Sequence, residues 1–368
     1  MRDPVTRDGL APMAVAVSLD CMAGRYDHDR AALGELLADQ PRYRLDQLWS
    51  GLYEHLAEPT AITGLPAALR ARLDEVLPTS LTEVARQSTP GGETVKFLWR
   101  LEGGAQIESV LMLYRDRATV CVSTQAGCAM ACGFCATGQA GFTRQLTVGE
   151  IVEQVILASR QARLADRRVS NVVFMGMGEP LANEEAVWGA VERLHSAVGL
   201  SARHLTISTV GLVPGIRKLA DRPLPVNLAV SLHAANDELR SELVPINRRY
   251  PLDVLMQACA EYLAKKNRRL SFEWALIDGV NDRQSDAVEL SRLCRGLPLH
   301  AHVNIIPLNP TPGWPTKGTP LTRVHDFCHQ LESLGVNATV RQNRGTDIEA
   351  ACGQLAAGQP VTLGSTRR

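Results

Sequence analysis

From residue 119 onward, short runs of β-branched and apolar residues alternate with longer stretches whose apolar positions recur every three or four residues. Residues 118–125 (ATVCVSTQ), 171–175 (NVVFM), 204–208 (HLTIS), 227–231 (NLAVS), 270–276 (LSFEWAL) and 302–307 (HVNIIP) read as strands. The stretches between them read as helices, the first over residues 148–164. Such alternation implies parallel βαβ units. Six strands with helices outside predict an α/β fold, a partial (β/α)6 barrel with its site at the strand C-terminal ends. A doubly wound open sheet is the alternative that strand counts do not exclude.

Upstream the pattern changes. Residues 31–38, 45–57 and 66–76 are helical in period, with Gly64 and several prolines as breaks. Residues 87–112 are β-rich, with a hairpin turn at Gly103-Gly104 between KFLWRL and IESVLMLY. The expected organisation is an irregular extension (1–30), a helical accessory domain (31–85), a β-rich linker (86–117), the barrel (118–345) and a C-terminal segment (346–368).

With 45% hydrophobic and 21% charged residues in 368, the chain has the composition of a folded protein with room for a large core. No apolar run approaches the ~20 residues of a membrane span. Residues 13–17 are too short for a signal core, and Arg2-Asp3 and Arg7-Asp8 leave no basic region before them. Nine cysteines in a chain of this length do not form a secreted disulfide framework, so a reducing cytoplasm is expected. The formal net charge is zero and does not by itself point to nucleic acid.

Chemistry enters with Cys128, Cys132 and Cys135, spaced C-x3-C-x2-C just after the first strand. Three thiolates can hold three irons of a [4Fe–4S] cluster and leave the fourth iron open to chelate a small molecule. Structural zinc is the competing reading, but it is almost always closed by four ligands, and no fourth cysteine or histidine follows nearby. Gly176-Met177-Gly178-Glu179-Pro180 comes directly after the second strand. Glycine lets backbone approach a ligand closely, and Glu179 offers an acceptor for an ammonium group. It is no dinucleotide fingerprint, because Leu181 stands where the third glycine belongs. Ser208, Ser231-Leu232-His233 and Asn309 bring small or polar groups to the ends of three further strands. A lone serine there reads first as a helix cap.

The cysteine loop and its place resemble the radical S-adenosylmethionine superfamily. The set VCVSTQAGCAMACGFCATGQ, GMGEPLAN, SLHAANDELR, VPINRRY, IIPLNPTPG and RGTDIEAACGQLA, spread over roughly residues 30–358, is similar to the bacterial radical-SAM adenine-C2 RNA methyltransferases. The resemblance implies that Gly178, Glu179, Ser208, Ser231, Leu232, His233 and Asn309 bind the cofactor. It implies a ping-pong reaction using two S-adenosylmethionine molecules. Cys352 accepts a methyl group by displacement, and a deoxyadenosyl radical removes a hydrogen from that methyl. The thiomethylene radical then adds to adenine C2. Cys121 removes the C2 proton, directly or through a relay, and a Cys121–Cys352 disulfide releases the product. Glu108 matches a carboxylate suspected of proton transfer; otherwise it reads as an exposed strand glutamate.

The implied substrates are 23S rRNA and tRNA, with a donor such as flavodoxin supplying electrons to a monomeric enzyme. Arg42, Arg44, Trp49 and Tyr53 of the helical domain are candidate RNA contacts, although the two aromatics at helical spacing also suit a core. The rival activities are methylation of adenine C8, which confers antibiotic resistance, and a silent Fe–S RNA-binding paralogue. The paralogue would be expected to lack Cys121 or Cys352. Cys21, Cys259, Cys294 and Cys328 read as small hydrophobes, and Cys352 as a mobile cysteine in a flexible tail.

Overall fold

A computed structural model describes residues 23–357 except 300, 312 and 316, so residues 13–17 and Cys21 lie outside the described residues. The helical region comprises α1 (Arg30–Leu36), α2 (Tyr43–Tyr53) and α3 (Ala67–Val76). The Asp29 side chain accepts from the Ala32 amide and starts α1. Leu33, Leu48, Leu52, Leu69 and Leu73 turn inward, and their core is continuous with that of the barrel. Residues 23–29, expected to be irregular, are packed as well. Tyr26 is buried edge-on against Tyr53, and Asp27 accepts from the Gly149 amide.

Next come β1 (Leu81–Ser88), β2 (Thr94–Leu101) and β3 (Gln106–Leu113), an antiparallel meander that pairs onto β4 (Ala118–Cys121). The turn after β2 falls at Gly103 and Gly104, both at positive φ. The chain then forms a separate two-stranded ribbon from β5 (Gln125–Gly127) and β6 (Phe142–Gln145), with short α4 (Ala136–Ala140) between them.

The remaining order is α5 (Val148–Leu164), β7 (Val169–Phe174), α6 (Glu184–Ser196), β8 (Leu205–Thr209), α7 (Val213–Asp221), β9 (Asn227–Ser231), α8 (Asp237–Leu243), α9 (Leu252–Lys266), β10 (Leu270–Leu276), α10 (Gln284–Arg295), β11 (His302–Pro307), α11 (Leu321–Ser333) and β12 (Asn337–Val340). All strands but the ribbon's join one ten-stranded sheet in the order β1-β2-β3-β4-β7-β8-β9-β10-β11-β12. From β4 to β12 the pairing is parallel. This is the expected α/β partial barrel, with β12 added beyond the six expected strands. Among the described residues no helix is long and apolar enough to cross a membrane.

Two expectations change. The first barrel strand ends at Cys121 rather than running to Gln125, because the chain leaves the sheet to build the ribbon. As far as residue 357, the C-terminal segment is no free tail. Ala136 N–H donates to Gly353 O, Thr137 Oγ1 to Leu355 O and Gln354 Nε2 to Pro310 O, pinning it across the barrel mouth.

Candidate active site

The ribbon shapes the cysteine loop. At Gly127 (φ +74°) a Cβ would lie 1.9 Å from Gly141 O, so only glycine lets the two ribbon strands close. The Cys128 amide then donates to Gly141 O at 2.7 Å, and the Cys135 amide to Cys132 O at 3.1 Å. Cys128, Cys132 and Cys135 lie within one another's electrostatic reach, and Glu179 acts on the first two. Burial, then the Met130 backbone hydrogen bond opposing it, leaves the free Cys128 thiol at about 12. Metal ligation would replace that proton. Among the described residues no three His, Cys, Asp or Glu side chains converge as a ready metal site. A lone ion would need three sulfurs at about 2.3 Å from one point. A cluster assigns each sulfur its own iron, so the loop's three thiols fit it better.

Beside the loop, Gly178 has φ +104°, and a Cβ there would meet Gln125 Cβ at 2.6 Å. The Glu179 amide donates to Gln125 Oε1 at 2.8 Å. Its carboxylate is fully buried and accepts from the Leu181 amide (3.0 Å) and the Val210 amide (2.9 Å), tying the β7 and β8 loops together. Burial raises this carboxyl to about 7, against those amide bonds. A cation beside it would draw it back to the ionised form.

The other expected cofactor residues reach the same rim in different states. Ser208 Oγ donates to Phe174 O at 2.6 Å, and Ser231 is half-buried at the end of β9. Leu232 is buried and its amide donates to Glu273 O. His233 has φ +59°, and its Nδ1 accepts from the Ala275 amide at 2.9 Å, which puts any ring proton on Nε2. Burial, then the Arg240 charge, lowers its pKa to about 3, so the ring is neutral. Asn309 donates to Cys352 O at 3.0 Å and accepts from Asn343 at 2.7 Å, so its amide holds the C-terminal segment.

Cys352 and Cys121, far apart in sequence, come within electrostatic reach of each other, and Cys135 in turn acts on Cys352. Cys352 is open to solvent, yet burial is the first cause of its raised thiol pKa, followed by Glu273. Cys121 is half-buried and pushed to about 12, by burial first and then by Cys352. All eight described cysteines are free thiols.

Glu108 is buried rather than exposed, with both carboxylate oxygens engaged by Lys96 and by the Ala356 and Ala357 amides. Of the candidate RNA contacts, Tyr53 is buried and accepts from Arg193, so it cannot stack on a base. Trp49 packs beside it, with the Arg193 guanidinium over its ring. Arg44 donates to Gln47 and Gly64 O, while Arg42 precedes α2 as its cap.

Four contributors are not evident from sequence: Gln125, Arg240, Glu273, and Arg341, whose charge acts on both Cys352 and Glu273. Glu273 carried a usable signal, a carboxylate in the middle of an otherwise apolar strand. It is buried on β10 among Ser271 and Asn304.

The radical SAM superfamily model matches residues 122–290. A probable dual-specificity RNA methyltransferase RlmN from Chloroflexus aurantiacus is 50% identical, covering 93% of this chain and 95% of its own. The chain belongs to the RlmN family. A dual-specificity RNA methyltransferase RlmN 1 from Myxococcus xanthus is 48% identical over 92% of this chain and 95% of its own. The crystal structure of a radical SAM methyltransferase from Sphaerobacter thermophilus superposes with a TM-score of 0.88 at 52% identity, covering 91% of this chain and 99% of that one. RlmN membership makes the chain a radical-SAM methyltransferase. The superfamily implies a [4Fe–4S] cluster and S-adenosylmethionine, which the three-thiol loop and the Gly178–Glu179 cradle fit.

Proposed function

We propose that this chain methylates C2 of an adenosine in the peptidyl-transferase region of 23S rRNA, and of the adenosine 3′ to the anticodon in some tRNAs. The methyl group travels on Cys352. The observation that carries this reading is that Cys352 comes within electrostatic reach of both Cys121 and Cys135 of the three-cysteine loop. Adenine C2 is an electron-poor sp2 carbon with no lone pair, so polar methyl transfer lacks a nucleophile. Radical addition avoids that requirement, with the cofactor supplying the hard chemistry.

Cys128, Cys132 and Cys135 hold the cluster, while Gly178 and Glu179 receive the methionine end of the cofactor. Bound there, the cluster and S-adenosylmethionine together supply a hydrogen-abstracting radical. Cys352 first takes a methyl group as a thiolate, by displacement on a first cofactor molecule. A second molecule serves the radical step, making two per turnover. Cys121 takes the C2 proton, directly or through a relay, and its sulfur then forms a disulfide with Cys352 as the carbon–sulfur bond of the adduct breaks, freeing the methylated base. A thiol reductant resets the pair. The target base must be unstacked to enter the mouth. Cytoplasmic location, a flavodoxin-type donor and a monomeric state complete the proposal.

The test is anaerobic reconstitution on an rRNA fragment, comparing wild type with Cys121→Ala by mass spectrometry. The expected products are 2-methyladenosine from the wild type and an RNA adduct at Cys352 from the variant. An 8-methyl product would keep the two cysteine roles and overturn the regiochemistry. Cofactor cleavage with neither product nor adduct would overturn the RNA substrate.

A further inference from the structure

We propose that Lys96 and Glu108 form a buried brace that sets the position of Cys352 relative to Cys121, with Lys96 as a positioning residue. The inference rests on the methyl-carrying role just given to Cys352. Lys96 Nζ lies 3.2 Å from Glu108 Oε1 and donates to Glu349 O at 3.3 Å. Glu108 Oε2 accepts from the Ala356 amide at 2.9 Å and the Ala357 amide at 3.1 Å. One ion pair therefore grips the backbone on both sides of Cys352, three residues before it and four and five after.

Sheet register explains how that grip reaches Cys121. Lys96 on β2 faces Val110 on β3, and Val110 faces Cys121 on β4. The three residues form one row across hydrogen-bonded strands, spaced about 4.8 Å apart. Whatever is fixed to Lys96 is thus held at a set offset from Cys121. From the other side, Asn309 holds the Cys352 carbonyl.

Lys96 and Glu108 are both nearly inaccessible, at 8% and 5% exposure. A buried ion pair contributes little net stability compared with apolar packing, because desolvation opposes the attraction. Stability alone is therefore a poor reason for charge here, whereas fixing a chain segment is a good one. The gain is effective concentration: two thiols meant to react must be kept within reach of each other.

The experiment equilibrates the full-length chain in glutathione redox buffers and quantifies the Cys121–Cys352 disulfide by peptide mapping. Amide exchange over residues 349–357 and the thermal midpoint are measured in parallel. In Lys96→Met the disulfide equilibrium constant is expected to fall at least ten-fold, with faster exchange at Ala356 and Ala357. Lys96→Arg restores both. Because Lys96→Met leaves a lone buried carboxylate, the neutral double variant Lys96→Met/Glu108→Gln serves as a second test. It is expected to fold and to keep the lowered disulfide constant.

An unchanged constant in the folded double variant would overturn the brace. So would failure of Lys96→Arg to recover it. Absence of methylated adenosine from the wild type, with the disulfide constants behaving as stated, would instead sink the methyl-transfer reading and leave the brace standing.

Discussion

At the residue scale the site depends on positions where a single atom is too many. Gly178 combines φ +104° with a virtual Cβ 2.6 Å from Gln125 Cβ, an atom fixed to the β5 backbone. Gly178→Ala is expected to cost about 1–3 kcal/mol in backbone strain and overpacking. It should also displace Glu179, whose amide rests on Gln125 Oε1. Gly92 provides the control, since it has φ +72° with nothing within 4 Å. Gly92→Ala should carry strain alone. Urea midpoints and S-adenosylmethionine binding by calorimetry check both, with weakened binding expected only for Gly178→Ala. Equal loss of affinity in the two variants would refute the cradle.

At the element scale, the strand ends are joined by a guanidinium. Arg240 of α8 donates to Val210 O (2.7 Å) after β8, to Ser231 O (3.3 Å) and Leu232 O (3.1 Å) after β9, and to Asn247 Oδ1 (2.8 Å). It is fully buried; its charge adds to the burial that lowers the His233 pKa and opposes the burial that pushes the Cys132 thiol up. Removing it strands several buried acceptors at about 1–3 kcal/mol each. Arg240→Gln is therefore expected to lose at least about 3 kcal/mol of stability on that scale. It should also purify with a lower iron-to-protein ratio. Arg240→Lys should recover little, since one ammonium cannot span four acceptors in three directions. Elemental analysis and denaturant titration decide this, and a fully loaded, stable Arg240→Lys would count against it.

The same scale shows what the sequence could reveal. Helix α5 was legible to the residue because Thr147 and Glu150 form a capping box at its start. The barrel strands were legible because burial demands continuous apolar runs, β10 being buried throughout. Strands β1 and β12 were not. Every residue of β1 after Leu81 is exposed, and β12 alternates exposed and half-buried positions, so neither edge strand carries an apolar pattern. Cys128, Cys132 and Cys135 could be named from spacing. The engagement of Glu108 and Asn309 by the C-terminal segment could not, because it joins residues more than forty apart through backbone atoms that leave no mark on residue type.

At the scale of the whole molecule, the helical region is fastened to the barrel through a buried carboxylate. Glu153 of α5 accepts from the Ser80 amide at 2.8 Å, with Arg25 and Arg160 acting on it electrostatically. Both arginines pair with Glu58, and Arg160 also donates to Leu56 O, so the junction is a charged network. Burial raises the Glu153 carboxyl to about 7, opposed by the Ser80 bonds and the arginines. In the unfolded chain the same group titrates near ~4.3. Between these values the folded state binds more protons than the unfolded state, so stability falls as pH rises. The contribution is fully retained below the unfolded value and lost by the time pH passes about 7. Glu153→Gln preserves an acceptor for Ser80 and removes the titration. Urea unfolding of the two proteins at pH 5 and pH 8 is the measurement. The wild type should lose more stability across that interval than the variant, and the variant should be the more stable of the two at pH 8. A wild type that gains on the variant as pH rises would show that the arginines, not burial, control Glu153.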